Sequence, residues 1–411
     1  MIFLLGTALQ PAASQSFRSN SRLILGTEAY RSASVRAGDL DGDGDLDLVV
    51  ANGRHWPEQN FAFLNNGRGQ FSVMRPLGSD RMTSYACELA DLDGDGDLDL
   101  ATGNDMAPCQ IFLNDGNANF NLKENFGGSS SVRSMTVADV DSDGDQDILL
   151  ACRGRANRLY LNDGAGSFQK EIEFGNGADA TIAVAAGDVN GDGQNDLVLA
   201  NRNGQPNVWL INDGSLNFDQ RIKFGNEKSN TRAVTVGDFD ADGNLDWAIA
   251  NIGQANRVFL GDGKGGVKSS VEFGLPENRS YCIDAADLDG DGDLDLAVGN
   301  TGQPNSVFFN EHSGTRFRAE TFDEQALATY GLEVADLNGD KRPDLITATS
   351  GAMNQVFING IKSNRGLGSA KPAVGKETTQ TPVATKVQDS AAEHANDSSN
   401  CLLYTSPSPR D

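Results

Sequence analysis

Seven stretches of nine residues share the pattern D-x-[DN]-x-D-G-x-x-D, with one departure at the glycine. In chain order they are DLDGDGDLD from Asp39, DLDGDGDLD from Asp91, DVDSDGDQD from Asp139, DVNGDGQND from Asp188, DFDADGNLD from Asp238, DLDGDGDLD from Asp287 and DLNGDKRPD from Asp336. Oxygen ligands at alternate positions let a short loop curl round a hard cation. A glycine in sixth place permits the sharp turn, the seventh residue offers its carbonyl, and the ninth carboxylate closes the shell. A donor set of oxygen alone, without His or Cys, selects Ca²⁺ over zinc or copper.

The candidate ligands are Asp39, Asp41, Asp43, Asp45 and Asp47 in the first window and Asp91, Asp93, Asp95, Asp97 and Asp99 in the second. The third and fourth contribute Asp139, Asp141, Asp143, Asp145 and Asp147, then Asp188, Asn190, Asp192, Gln194 and Asp196. The fifth and sixth supply Asp238, Asp240, Asp242, Asn244 and Asp246, then Asp287, Asp289, Asp291, Asp293 and Asp295. The last offers Asp336, Asn338, Asp340 and Asp344, but has Lys341 in place of the glycine and Arg342 beside it. Up to seven Ca²⁺ sites are expected, the one at Asp336–Asp344 being the weakest. Of 58 acidic residues the windows hold 30, and outside them the charge sums to +3 against −25 for the whole chain. The acidity is therefore local to these loops. No basic patch with interleaved aromatics is present to bind a phosphate backbone, and no apolar run approaches the roughly 20 residues of a membrane span.

The elements that position the windows recur with them. Successive windows start 48 to 52 residues apart, a period to be interpreted before any single motif. Each is followed by an apolar run (Leu46–Ala51, Ile148–Ala151), a polar loop such as Asn203-Gly204-Gln205-Pro206-Asn207, and a second run (Val208–Ile211). A turn such as Asn114-Asp115-Gly116 leads to a third run ending in Phe-Gly (Phe126-Gly127, Phe174-Gly175), and a fourth run enters the next window. Runs of four to eight apolar residues bounded by Gly, Asn and Asp are strands, and the Asn-Asp-Gly turns suit tight hairpins. Four antiparallel strands per period is a β-propeller blade. The all-β expectation is a seven-bladed β-propeller of four-stranded antiparallel blades. The seventh repeat lacks its fourth strand, whereas Phe17–Gly26 is a strand without a blade. Gly26 precedes Asp39 by 13 residues, as Gly175 precedes Asp188, so the N-terminal strand should close the ring and remove exposed edges.

The seven windows with their recurring Phe-Gly segments resemble the FG-GAP/VCBS repeat family, to which the seven-bladed propeller of integrin α subunits belongs. The resemblance covers about Phe17 to Lys362. It implies a calcium-stabilised extracellular propeller used for binding or adhesion, with propeller portions of polysaccharide lyases and sugar-binding lectins in the same family. No D-x-S-x-S metal motif and no inserted domain interrupts the repeats.

Strand alternation puts the acidic windows and Asn-Asp-Gly hairpins at one end of the propeller, and the remaining loops at the other. At the mouth of the inner strands on that second end stand Ala33, Tyr85, Arg133, Ile182, Arg232, Tyr281 and Tyr330, with Arg54, His55, Trp56, Arg153, Arg155 and Arg202 on neighbouring loops. Aromatic rings with guanidinium forks suit a sugar, an acidic glycan or a peptide carboxylate, so the partner is expected to be a glycan or an extracellular protein. No Ser-His-Asp or Cys-His constellation is legible among His55, His312 and His394. A binding module, not an enzyme, is the expectation, the alternative being the propeller portion of a lyase with His55 assisting a Tyr or Arg base. The domain reading is a signal-peptide-like segment at 1–15, the propeller at 16–364, a disordered low-complexity tail at 365–400 and a stretch resembling a sequencing-adaptor translation at 401–411. A secreted or cell-surface monomer follows from these expectations. Cys109 and Cys152 sit near the binding-face ends of strands in consecutive blades, and a disulfide between them is left open by spacing.

Overall fold

The computed structural model describes residues 15–129 and 131–361. The leader-like segment before them, the tail and the adaptor-like last residues lie outside that range. Every regular element among the described residues is a β-strand. Six blades consist of consecutive strands, hydrogen-bonded in chain order. Blade 3 is typical: Val132–Ala138 innermost, then Asp147–Cys152, Asn157–Leu161 and Lys170–Phe174 outermost. The innermost strands of the other blades are the second half of Ile24–Gly38, then Ser84–Ala90, Thr181–Gly187, Thr231–Gly237, Ser280–Ala286 and Thr329–Ala335. Each touches the next, and Thr329–Ala335 touches Ile24–Gly38, so the circle is closed.

Blade 7 joins the two ends of the described chain. The long element Asp344–Ile361 folds back as its second and third strands. Its outer strand comes from the start of the chain: Phe17 pairs with Asn359, Arg18 with Ile358, and Leu25 with Asn354. The expected single N-terminal strand is split, because Leu23 N–H bonds to Asn20 O and Arg22 N–H to the Asn20 side chain, each at 2.9 Å, forming a turn. Leu23 and Leu25 then drop into the interface with blade 1.

The core is not one mass but seven clusters, one at each junction between blades. Alternation of side chains explains this. In the strand Asp47–Asn52, Leu48 and Val50 face blade 7 while Val49 and Ala51 face blade 2, and all four are buried. A strand covered on both faces must be apolar throughout, which is why the windows are followed by unbroken aliphatic runs. Small residues end the inner strands because blades converge there. A Cβ on Gly38 would stand 2.6 Å from Leu98, and one on Gly187 or Gly237 equally close to a leucine of the next blade.

Candidate functional site

The windows form the loops between first and second strands, all at one end of the ring. In each, the first aspartate accepts the backbone N–H of the sixth residue: Gly44 to Asp39, Gly96 to Asp91, Gly144 to Asp139, Gly193 to Asp188, Gly243 to Asp238, Gly292 to Asp287 and Lys341 to Asp336, at 2.7–3.1 Å. The sixth residue has positive φ everywhere, which Lys341 adopts at 66° in the last loop, where it is strained. The fourth residue is also left-handed, including Ser142 at 62° and Ala241 at 57°, a second requirement that the sequence reading missed.

These turns bring carboxylates together. Asp39, Asp41 and Asp43 have oxygens within 4.8 Å of one another, as do Asp287, Asp289 and Asp291. In the second, third and fifth loops the group comprises the first, third and ninth residues: Asp91, Asp93 and Asp99; Asp139, Asp141 and Asp147; Asp238, Asp240 and Asp246. The fit to a cation is tested by oxygens that have no other use. Oδ1 of Asp41, Asp139, Asp141 and Asp240 is buried without a hydrogen-bond partner. Burial first, and then the neighbouring carboxylates Asp43 and Asp143, hold Asp41 and Asp141 above the usual carboxylate range. An all-oxygen set with stranded acceptors fits a hard divalent ion.

Two candidate ligand types have other positions or duties. Side chains of the seventh residues lie against the next hairpin: a Cβ on Gly67, Gly116 or Gly164 would meet Asp45, Asp97 or Asp145 within 2.7 Å. They stand apart from the triads. The ninth aspartates are structural staples as well as candidate ligands. In blade 3, Asp147 Oδ2 accepts Val140 N–H at 2.9 Å and Oδ1 accepts Asn162 N–H at 3.0 Å, tying the loop to its hairpin. The same pair of bonds recurs at Asp47, Asp99, Asp196, Asp246, Asp295 and Asp344. Burial raises Asp147 to about 6 and Asp295 to about 7 despite these bonds.

Loops of neighbouring blades are also stitched together. Asn162 Nδ2 donates to Leu92 O of the preceding blade at 2.9 Å, and Asn114, Asn212, Asn310 and Asn359 do likewise at 2.8–3.0 Å. Asn65 donates to Leu337 O at 2.8 Å and so closes the circle. Blade 5 has Gly261 at this place, where a Cβ would collide with Leu245 O; it keeps only the backbone bond from Gly265 N–H to Val189 O at 3.0 Å, the counterpart of Gly69 to Leu337 and Ala118 to Leu40. Two loops contain a tethered cation. Lys268 Nζ lies 3.0 Å from Asp240 and 2.9 Å from Asp242, and Arg342 is paired with Asp340. The arginine beside the seventh loop was legible in the sequence; the lysine in the fifth was not, because it arrives from the hairpin 22 residues past Asp246.

The opposite end is built differently. Arg54, His55, Tyr85, Arg133, Arg153, Arg202, Arg232, Tyr281 and Tyr330 converge with Ile182 on a cavity of about 110 Å³ at the axis. Nine of the proposed ligand-binding residues are thus brought together. Trp56, 63% exposed, and Arg155 lie outside the lining, and Ala33 belongs to the channel below. Guanidinium groups stack on rings: Arg54 over Tyr330 at 3.6 Å, Arg133 over Tyr85 at 4.5 Å and Arg232 over Tyr281 at 5.5 Å. The Tyr85 hydroxyl and His55 Nδ1 are 2.8 Å apart. Burial, then Arg54 and Arg133, keep His55 below its ordinary value. Asp105 pairs with Arg133 at 3.0 Å. Farther in, Arg36 grips Glu88 through two bonds of 2.7 Å and Glu333 at 3.2 Å, and Asp284 lines the channel with Arg36 and Glu333. The glutamines of the polar loops hold this end in shape. Gln205 accepts Ala180 N–H and donates to Ala178 O, and Gln254 bonds Asn230 and Lys228 in the same way.

The four described cysteines are free and buried. Cys109 and Cys152 flank Val132 in the junction between blades 2 and 3. Five other junctions have an Asn–Ser/Thr–Asn chain there, such as Asn60–Ser84–Asn104 at 2.8–2.9 Å. The open question of a disulfide resolves to a dry joint in which three polar groups are replaced together.

The model for the FG-GAP-like repeat matches six overlapping spans, 39–102, 91–150, 139–199, 188–249, 238–298 and 287–347. The chain belongs to the FG-GAP repeat family. Each matched span of this FG-GAP protein runs from one acidic window to just past the next, so the loops and the strands between them are the matched unit. No curated protein sequence matches it. Among solved structures it is similar to BBS1N crystallised in complex with ARL6DN and soaked with mercury, with a TM-score of 0.56, 14% identity and coverage of 86% of this chain and 99% of that one. The lead-soaked form of that complex gives 0.55 at 17% identity, covering 82% and 95%. The WD40 domain of coronin from Toxoplasma gondii gives 0.57 at 11%, covering 87% and 89%. At such identities the likeness is one of fold.

Proposed function

We propose that this FG-GAP propeller is a secreted or cell-surface module, stabilised by Ca²⁺ in its acidic loops, that binds a glycan or an extracellular protein on the end opposite those loops. The observation that carries this reading is the division of labour between the ends. Carboxylates with stranded oxygens crowd one end, while arginines and tyrosines ring the axis at the other. When bound, the ion supplies positive charge that neutralises the crowded carboxylates. The first and third aspartates would hold it, joined by the fifth or the ninth, while the backbone bonds to Asp39 and its equivalents preset the loop. Short oxygen-only loops of this kind match millimolar calcium, the concentration outside cells. Binding rather than catalysis is favoured because the aspartates are committed to loop bonds. Burial also raises the Tyr85 and Tyr330 hydroxyls above their ordinary value. The protein acts as a monomer in this reading. A glycan and extracellular-protein array probed in calcium tests it. Retention that Arg232→Met and Tyr281→Ala abolish is the expected result, and retention indifferent to both would refute it.

A second reading, the propeller portion of a polysaccharide lyase, is favoured by one contact, the 2.8 Å approach of His55 to Tyr85 beside Arg133. An imidazole held neutral can take a proton through the phenol. Incubation with acidic polysaccharides separates the readings: shortening of the polymer with an unsaturated end supports the lyase, and intact polymer supports the binding module.

A further inference from the structure

We propose that the axial mouth is a receptor for a carboxylate of an acidic glycan, a uronate seated between Arg202 and Arg232. The proposal rests on the binding-module reading and adds the chemical class of ligand. Five arginines line the cavity and no acidic side chain does. The nearest carboxylate, Asp105, is consumed by Arg133 at 3.0 Å. Among the described residues Arg54, Arg202 and Arg232 have no carboxylate partner within ion-pair distance. The Nε groups of Arg54 and Arg202 are buried with no hydrogen-bond partner at all. Burial draws Arg232 down to about 10, and the charge of Arg202 contributes in the same direction. Arg232 thus remains a cation at neutral pH, next to a second one. Buried donors without acceptors are costly, and a planar anion beside Arg202 would meet its stranded fork and the neighbouring charge of Arg232 together.

Size and surroundings narrow the class. A cavity of about 110 Å³ admits one small group, well short of the roughly 300 Å³ of an ordinary ligand pocket. Deeper travel is opposed by charge, since Glu88 and Asp284 share the next level of the channel with the single cation Arg36, whose charge Glu88 already takes up. An anion therefore stops at the mouth. A sugar suits the rim better than a peptide, because Ile182 is the sole aliphatic side chain in the lining and offers no pocket for neighbouring peptide side chains. The Tyr281 and Tyr330 rings meet edge to face at 4.9 Å, and Trp56 stands exposed on the adjoining loop, which gives flat surfaces for pyranose rings.

The test is calorimetric titration of the full chain, in calcium, with galacturonate, glucuronate and mannuronate oligosaccharides, their methyl esters, and a peptide ending in a free carboxylate. At least one uronate should bind, and its ester should bind at least about tenfold more weakly, as removal of a charge-assisted pair demands. Arg202→Met, on a partly exposed loop, should cost a similar factor with unchanged melting temperature. Arg202→Lys should recover only part, because an ammonium lacks the fork. No binding of any uronate, equal binding of acid and ester, or tighter binding of the peptide would each overturn the proposal. Retention of a neutral glycan that Tyr281→Ala abolishes would leave the binding module standing without the uronate.

Discussion

The two ends of the propeller are built on opposite plans. At the acidic end every blade supplies nearly the same loop, so the first and ninth aspartates recur seven times with the same backbone partners. At the arginine end, equivalent positions hold Ala33, Tyr85, Arg133, Ile182, Arg232, Tyr281 and Tyr330, with little repetition. Repetition suits a task that every blade shares, namely holding a loop, its hairpin and the neighbouring blade together. Variation suits a surface that must present one asymmetric pattern to one ligand. In the proposed reading the acidic end carries the metal-dependent share of stability and the other end carries selectivity.

Chelation is the strongest way to break this contrast. If the acidic loops are metal clasps, removing calcium should lower the melting temperature by roughly 10 °C or more, since several sites each lose their binding free energy. The arginine end should lose affinity only through that unfolding. An unchanged melting curve in chelator, read by calorimetry, would erase the contrast. Next comes Asp147→Ala, which strands the backbone N–H groups of Val140 and Asn162. A loss of about 3 kcal/mol is expected, measured by denaturant titration, whereas Arg153→Ala at the other end should cost almost nothing.

A smaller effect comes from the channel between the ends. Burial holds Glu333 well above the usual carboxylate range, opposed by Arg36 and reinforced by Asp284 and Glu88. A carboxyl raised on folding stabilises fully below its unfolded value and loses that contribution as pH climbs toward about 8. Stability should therefore fall with rising pH across this window, and Glu333→Gln should flatten the slope by up to about one proton. The smallest effect sharpens differences among the loops themselves. Removing the ammonium in Lys268→Met should tighten the fifth loop for calcium by roughly twofold to fivefold, the scale of an exposed ion pair, as read by calcium titration. A weaker site in the variant would refute the idea that Lys268 competes with the ion.

Much of this was legible in the sequence because the repeat supplies its own alignment. Seven windows at a steady spacing gave the blades, and the distance from Gly26 to Asp39 placed the N-terminal strand in blade 7. Five of the seven expected clusters followed from residue type and interval; among the described residues the fourth and seventh windows, with Asn190 and Asn338 in third place, form no carboxylate triad. Hidden were the bonds between blades. Asn162 reaches Leu92 across 70 residues, and no local pattern shows where its amide goes, although its return as Asn114, Asn212 and Asn310 was a signal. The glutamines at Gln205, Gln254 and Gln303, each 49 residues apart, were a second such signal, seen as loop composition and not as a clamp. The dry junction of Cys109, Val132 and Cys152 was obscure for the opposite reason, since it departs from the repeat and its three members are far apart in the chain. At the arginine end the participants were found but not their pairing, because stacking of Arg54 on Tyr330 joins blade 1 to blade 7.

Closure of blade 7 by strands from both ends of the described chain has a mechanical consequence. Gln15 pairs with Ile361 in an antiparallel ladder, so the chain enters and leaves the disc side by side. A pull between these two points loads the hydrogen bonds one pair at a time, in the manner of a zipper, and does not shear the whole ladder at once. Under tension blade 7 would be the first to peel, while the other six, each knitted from consecutive strands, lie outside the line of force.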